Sequence, residues 1–183
     1  MIPIALDAIA LPLAVAGRGP EATRRLQALR AGGAHAPLLF SDRPDEDLVR
    51  AAGPALRRFL PGRPDLLALR ALWIVGLPDD EAAQLAALAR SERVLVNVED
   101  RPALCDFHSV AAVRRGDLLL TVSTGGASPG LAARIRARLA TEFGPEWAER
   151  VALLRSRRDA WRRDGEDVGD LTDALLRANG WLA

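Results

Sequence analysis

Val94-Leu95-Val96-Asn97-Val98-Glu99-Asp100, with Pro102 two positions on, is the stretch from which the fold follows. An apolar run that ends in acids reads as a buried strand with a carboxylate at its carboxyl end. In open α/β sheets, ligands bind outside the carboxyl ends of the strands. Asp100 therefore stands where chemistry is expected. A second apolar run, Leu118 to Val122, enters Ser123-Thr124-Gly125-Gly126-Ala127-Ser128-Pro129. That turn opens a helix, with Ser128 as its N-cap and Pro129 as its first helical residue.

Upstream, a strand over Leu11 to Ala16 precedes Gly17-Arg18-Gly19-Pro20-Glu21-Ala22, a G-x-G-x-x-A fingerprint. Ala22, Leu26 and Leu29 follow on one helix face. Gly17 allows a tight turn, Gly19 lets the backbone approach a pyrophosphate, and Ala22 permits close helix–strand packing. The helix N-terminus attracts the anion, and Pro20 is preorganised for a first turn. Gly17, Gly19, Pro20 and Glu21 are thus candidate cofactor contacts. Arg18, in the free middle position, has two readings: a phosphate clamp or a solvent-facing side chain.

A short second strand, Ala36 to Phe40, ends in Ser41 and Asp42, a little over 20 residues after the glycines. An acid there accepts ribose hydroxyls and disfavours a 2′-phosphate, which points to NAD rather than NADP. Ser41 and Asp42 join the cofactor set; a helix cap for the segment around Asp45 to Ala52 is the alternative role for the acid. Ala55 to Leu60 is a short edge strand and Leu72 to Val75 a fourth strand. Asp79 or Asp80 caps a helix over Glu81 to Arg90. This alternation from Leu11 to Val98 predicts an α/β fold with a Rossmann-like parallel sheet.

After Pro102 the pattern changes. Val110 to Arg114 reads as helical, and Leu118 to Val122 as a strand without an obvious partner in its own chain. Leu131, Ile135 and Leu139 line one face of the helix from Pro129. Phe143-Gly144-Pro145 is a break. Trp147, Val151, Leu154 and Trp161 mark a further helix, and Asp170 to Ala178 a last short one. The expected division is residues 1–110 for the nucleotide-binding domain, 111–143 for a dimerisation segment and 144–183 for a C-terminal helical segment.

Composition narrows the classes. The chain has 183 residues, 49% of them hydrophobic, and a net charge of +1, which gives no argument for nucleic acid or a membrane surface. The one cysteine, Cys105, cannot form an intramolecular disulfide and fits a reducing compartment. The apolar stretch Ile9 to Ala16 contains Pro12 and is too short to span a bilayer, so a cytoplasmic protein is expected. All 25 basic residues are arginine and tyrosine is absent. That excludes Schiff-base lysine chemistry, a P-loop lysine and a Tyr/Lys dehydrogenase pair.

Four segments occur in order: Asn97-Val98-Glu99-Asp100-Arg101-Pro102, Cys105-Asp106-Phe107, Arg114-Arg115-Gly116-Asp117-Leu118, and Ser123-Thr124-Gly125-Gly126-Ala127-Ser128-Pro129. Together they resemble the precorrin-2 dehydrogenase/sirohydrochlorin ferrochelatase family. Met1 to Asp7 is similar to that family's opening segment. The chain departs from the family pattern at Arg18, where a third glycine is usual, and at Gly76-Leu77-Pro78, where Ala-Ala-Thr is usual.

The resemblance implies NAD-dependent conversion of precorrin-2 to sirohydrochlorin, with ferrochelation to siroheme as a further activity and Fe2+ as its substrate. It implies a homodimer built by the middle segment. It also implies a catalytic role for Asp100: accepting a proton as hydride leaves to NAD, or pyrrole protons as metal enters. Burial at the strand end is expected to raise its pKa. The other reading is a turn acid before Pro102. Ser123, Thr124, Gly125 and Gly126 offer hydroxyls and N–H groups to substrate carboxylates, or form an ordinary turn. Cys105 reads as a packed thiol and His108 as structural or exposed. Arg155, Arg157, Arg158, Arg162 and Arg163 read as a solvated helix face or as the rim of a polyanion cleft. No His/Cys spacing suggests a resident metal. The rival reading is a catalytically silent dimer that senses NAD or a tetrapyrrole.

Overall fold

The computed structural model describes residues 2–181. Met1, in the opening segment, and Leu182 and Ala183, in the closing one, lie outside the described residues. The chain forms two compact units, Met1–Ser109 and Val110–Ala183.

The first unit alternates strand and helix: β1 (Leu13–Gly17), α1 (Gly19–Ala31), β2 (Leu38–Phe40), α2 (Glu46–Ala52), β3 (Leu56–Arg57), α3 (Arg63–Leu67), β4 (Ala71–Val75), α4 (Asp79–Ser91) and β5 (Leu95–Val98). The strands form one sheet in the order β3-β2-β1-β4-β5, and every pair is parallel. The chain winds outward from β1 to β3, then returns to β4 on the other side of β1. The crevice between the carboxyl ends of β1 and β4 is therefore the switch point at which such sheets bind ligands.

Continuous apolar runs form β1 and β4 because both faces of these strands are covered; every residue of each is buried. Period-two alternation splits them between two cores. Ala14, Ala16, Leu72 and Ile74 pack with Leu66, Ala82, Ala86 and Val96 on one face. Leu13, Val15, Trp73 and Val75 pack with Ala22, Leu26 and Leu48 on the other. β2 begins only at Leu38 because Pro37 has no N–H to give a ladder and Ala36 has φ +48°. At the free edge of β5, Asp106 substitutes for a strand: its Oδ2 accepts from Val96 N at 2.9 Å and its N–H donates to Val96 O at 2.8 Å. Arg90 Nε holds the other oxygen at 2.7 Å.

The capping expectations are corrected. The cap of α2 is Asp45, which accepts from Leu48 N at 2.7 Å, and not Asp42. Neither Asp79 nor Asp80 caps α4. Pro78 takes that position without a side-chain bond, and Asp79 pairs with Arg101.

The second unit contains β6 (Ala111–Arg115), β7 (Leu118–Val122), α5 (Pro129–Glu142), α6 (Trp147–Asp164) and α7 (Val168–Ala178). It overturns two expectations. Residues 110–114 do not form a helix: 111–115 are a strand. That strand also gives β7 an antiparallel partner in its own chain. The stretch is too short to show a period, whereas the two-residue loop Gly116-Asp117, with Gly116 at φ +55°, closes a hairpin. Arg115 then reaches the end of α5, donating to Phe143 O at 2.9 Å and Ala140 O at 3.1 Å, which satisfies carbonyls the helix leaves unpaired. Ser128 caps α5 as expected, accepting from Leu131 N at 3.2 Å. Leu131 and Ile135 on α5 remain 51% and 39% exposed, an apolar face left uncovered among the described residues.

Candidate functional site

The site is built from the turns at the carboxyl edge of the parallel sheet. Gly17 ends β1 against β4. A Cβ there would sit 2.8 Å from Val75 Cγ2 and 2.9 Å from the Val75 carbonyl carbon, and closer still to its oxygen. Gly76, at φ +61°, abuts the Arg18 carbonyl in the same way. Only glycines let the two turns approach this closely. Gly19 follows at φ +68°, and Pro20 occupies the first turn of α1. Among the described residues no side chain caps this helix, so its first N–H groups stay open to an anion. The cradle fits a dinucleotide pyrophosphate. Glu21, also in the first turn, has its carboxylate on Arg24 at 3.0 Å.

The acid expected for the ribose is already engaged. Arg18 forms a bidentate pair with Asp42, Nε to Oδ1 and Nη2 to Oδ2, both at 2.7 Å. It also donates to Glu81 at 2.7 and 3.2 Å. The solvent-facing reading of Arg18 does not hold: its side chain is 15% exposed and clasps two carboxylates. The hydrogen bonds from Arg18 hold the Asp42 carboxyl below its usual range, and both acids raise the arginine further. Asp42 is thus paired with Arg18 rather than free. Ser41 is fully buried and its hydroxyl lacks a partner among the described residues, so of this pair only Asp42 presents surface.

Asp100 sits in a four-residue turn after β5, closed by Arg101 N to Val98 O at 3.2 Å. Its φ is +60°, a left-handed conformation ordinarily given to Gly or Asn. The expectation of burial fails: Asp100 is exposed. Its neighbours pin the turn instead. Glu99 pairs with Arg25 of α1 at 3.0 Å, and Arg25 also donates to Ser109 Oγ at 3.0 Å. Trp73 Nε1 meets the same hydroxyl at 3.1 Å. Arg101 holds Leu77 O at 2.9 Å. Contacts on either side thus hold Asp100 in a left-handed turn, a conformation aspartate visits more readily than most residues.

Sequence reasoning missed Arg25, Glu99 and Arg101, whose partners lie far away along the chain. Their one sequence signal is adjacency to Asp100 or to the fingerprint. Cys105 is a packing residue, its Sγ hydrogen-bonded to Val98 N and O at 3.2 Å. His108 is exposed. Ser123, Thr124, Gly125 and Gly126 belong to the second unit. Thr124 Oγ1 closes that loop on Ser128 N at 3.1 Å, and Ser123 Oγ accepts from Gly125 N at 3.2 Å. Both glycines have positive φ, 63° and 87°. Among the described residues, no group of three or more His, Cys, Asp or Glu side chains could hold a metal, and no helix is long and apolar enough to cross a membrane.

Comparison with known proteins gives a consistent result. A family model described as "Putative NAD(P)-binding" matches residues 4–111, and one described as "Sirohaem biosynthesis protein central" matches residues 115–142. The siroheme synthase of Thiobacillus denitrificans is 34% identical over 177 residues, covering 92% of this chain and 35% of that protein. That of Methylococcus capsulatus is 35% identical over 185 residues, covering 88% and 38%. The chain thus spans little more than a third of the curated relatives it matches. A solved structure of the precorrin-2 dehydrogenase SirC superposes with a TM-score of 0.72 at 25% identity, covering 89% of this chain and 81% of that one.

Proposed function

The chain belongs to the NAD(P)-binding family of siroheme biosynthesis, and from that premise we propose that it is an NAD-dependent precorrin-2 dehydrogenase forming sirohydrochlorin. The observation that carries the reading is Asp100 itself, held at φ +60° on the same sheet edge as the Gly17–Gly19 cradle.

Bound NAD supplies the two-electron acceptor that takes a hydride from the substrate. The chain's own residues do the rest. The N–H groups of α1 hold the pyrophosphate, and Gly17 and Gly76 keep the turns tight enough for that approach. As the hydride leaves, the macrocycle must also lose a proton, and the Asp100 carboxylate accepts it and passes it to water. Asp100 is exposed, so its carboxylate is within reach of both substrate and solvent. The paired Glu99, Arg25 and Arg101 fix its position. The same carboxylate accepts pyrrole N–H protons if Fe2+ is inserted as a substrate into sirohydrochlorin. The Ser123–Gly126 loop is assigned to substrate carboxylates through its hydroxyls and N–H groups. Residues 111–143 build a homodimer, and the protein is cytoplasmic.

Asp100→Asn tests the reading. Asparagine tolerates the left-handed turn, so the fold and NAD affinity stay unchanged while basicity is lost. Conversion of precorrin-2 with NAD should fall by about 10²-fold or more. A near-normal rate would make Asp100 a turn residue and refute the mechanism. A wild-type protein that binds NAD and converts no precorrin-2 would establish the silent sensor instead.

A further inference from the structure

Asp100 is tethered on both sides to the elements that build the dinucleotide cradle, and neither tether uses its own side chain. On one side, Glu99 Oε1 accepts from Arg25 Nη2 at 3.0 Å. Arg25 stands in the second turn of α1, the helix whose open N-terminus forms the cradle. On the other side, Arg101 Nη2 donates to Leu77 O at 2.9 Å, and Arg101 also pairs with Asp79. Leu77 follows Gly76, whose backbone lies against Arg18 in the fingerprint turn: a Cβ on Gly76 would stand 3.2 Å from the Arg18 carbonyl carbon. The contacts thus run from Arg18 through Gly76, Leu77 and Arg101 to Asp100, each step a backbone contact, a peptide bond or a hydrogen bond. Both tethers are part-buried and carry charge, which makes them stronger than neutral bonds in open water. The bond that closes the turn, Arg101 N to Val98 O, is 3.2 Å long, at the weak end of the range. Asp100 itself is exposed, so its aim depends on residues 99 and 101.

Resting on the NAD-dependent reading above, we propose that Arg25 and Arg101 are positioning residues that couple cofactor occupancy to the proton acceptor. Dinucleotide in the cradle tightens the Asp100 turn, so the macrocycle meets a correctly aimed carboxylate once NAD is seated. A ligand shifts a conformation only through contacts that differ between its states. The pyrophosphate supplies them by fixing the Arg18–Gly19 turn and the start of α1, where both tethers end. With the fingerprint turn held, Gly76 and Leu77 O cannot drift, and Arg101 holds its end of the turn against them. Arg25 does the same for Glu99 from α1. The tethers lie outside the N–H groups that take the pyrophosphate, so cutting them leaves cofactor affinity nearly intact and misplaces Asp100. A shift of about 1 Å at a reacting group costs up to about 10²-fold in rate.

The experiment has two arms, run on wild type, Arg101→Met, Arg25→Met, the double variant and the conservative Arg101→Lys. The first follows hydrogen exchange of the Arg101 amide, which closes the turn, with and without NAD. NAD should slow that exchange about tenfold in wild type, and the double variant should lose the effect. Each single variant removes one tether and should reduce the protection, so this arm stands without the double variant. The second arm measures kcat with saturating NAD and precorrin-2 beside the NAD dissociation constant from calorimetry. Arg101→Met should lower kcat about tenfold and leave the dissociation constant within about threefold of wild type. Arg25→Met should act in the same direction, and Arg101→Lys, which keeps a donor at Leu77 O, should recover most of the rate. The proposal is overturned if NAD leaves the Arg101 amide unchanged in wild type, or protects it equally in the variants. It is also overturned if the variants weaken NAD binding with kcat unchanged, the mark of a merely structural role. The exchange arm needs no precorrin-2, so the two readings fail separately. Protection by NAD that depends on both tethers, without conversion of precorrin-2, refutes the dehydrogenase reading and upholds the coupling; conversion without protection refutes the coupling alone.

Discussion

Replacing Gly17 with alanine should damage fold and cofactor binding together, and the size of the effect follows from one close approach. The new Cβ would lie 2.8 and 2.9 Å from two carbons of Val75. Gly17 and Val75 are register partners in β1 and β4, so no flexible side chain can move aside. The end of β1 must shift away from β4 at the sheet's centre. Overpacking of this kind costs about 1–3 kcal/mol. Losing the Arg18 N to Val75 O bond, 3.3 Å long, adds about 1 kcal/mol. The sum, about 2–4 kcal/mol, should lower the urea midpoint by about 1–2 M. NAD affinity should fall as well, since the displaced turn carries the cradle. Gly19→Ala is the companion: its Cβ meets nothing closer than Glu21 Oε2 at 3.3 Å, and only the positive φ opposes it. That costs about 1–2 kcal/mol, so Gly19→Ala should remain folded while NAD binding is lost. Gly17→Ala with wild-type midpoint and affinity would refute the account of the β1–β4 turns.

Two further outcomes are expected. Arg18 depresses the pKa of Asp42, so the stabilisation from this pair is fully present above the unfolded carboxyl value of about 4 and is lost as pH falls through the lower folded value. The urea midpoint of Asp42→Asn should therefore lie below wild type at neutral pH and approach it in strong acid; a gap unchanged by acid would remove Asp42 as the titrating group. For assembly, the exposed Leu131/Ile135 face of α5 predicts a dimer by light scattering, and Ile135→Glu should yield folded monomer; a wild-type monomer at micromolar concentration contradicts this.

The sequence by itself determined the parallel sheet, the order of its elements, the Gly17–Gly19 turn and the Ser128 cap. Each is a local signal: a continuous apolar run for a strand covered on both faces, a glycine where the backbone must pass closely, a hydroxyl before a first helical proline. The four segments from Asn97 to Pro129 also drew attention to Asp100. What lay beyond the sequence was decided by partners distant along the chain. Residues 111–115 carry no readable period, and they are a strand because β7 pairs with them across a two-residue loop. Asp100 is held in its left-handed turn because Glu99 pairs with Arg25 of α1 and Arg101 reaches Leu77 O, partners distant along the chain. Most of all, Asp42 and Arg18 are 24 positions apart. Each looks free in the sequence, and only the parallel register of β1 and β2 brings their turns side by side and lets one charge cancel the other.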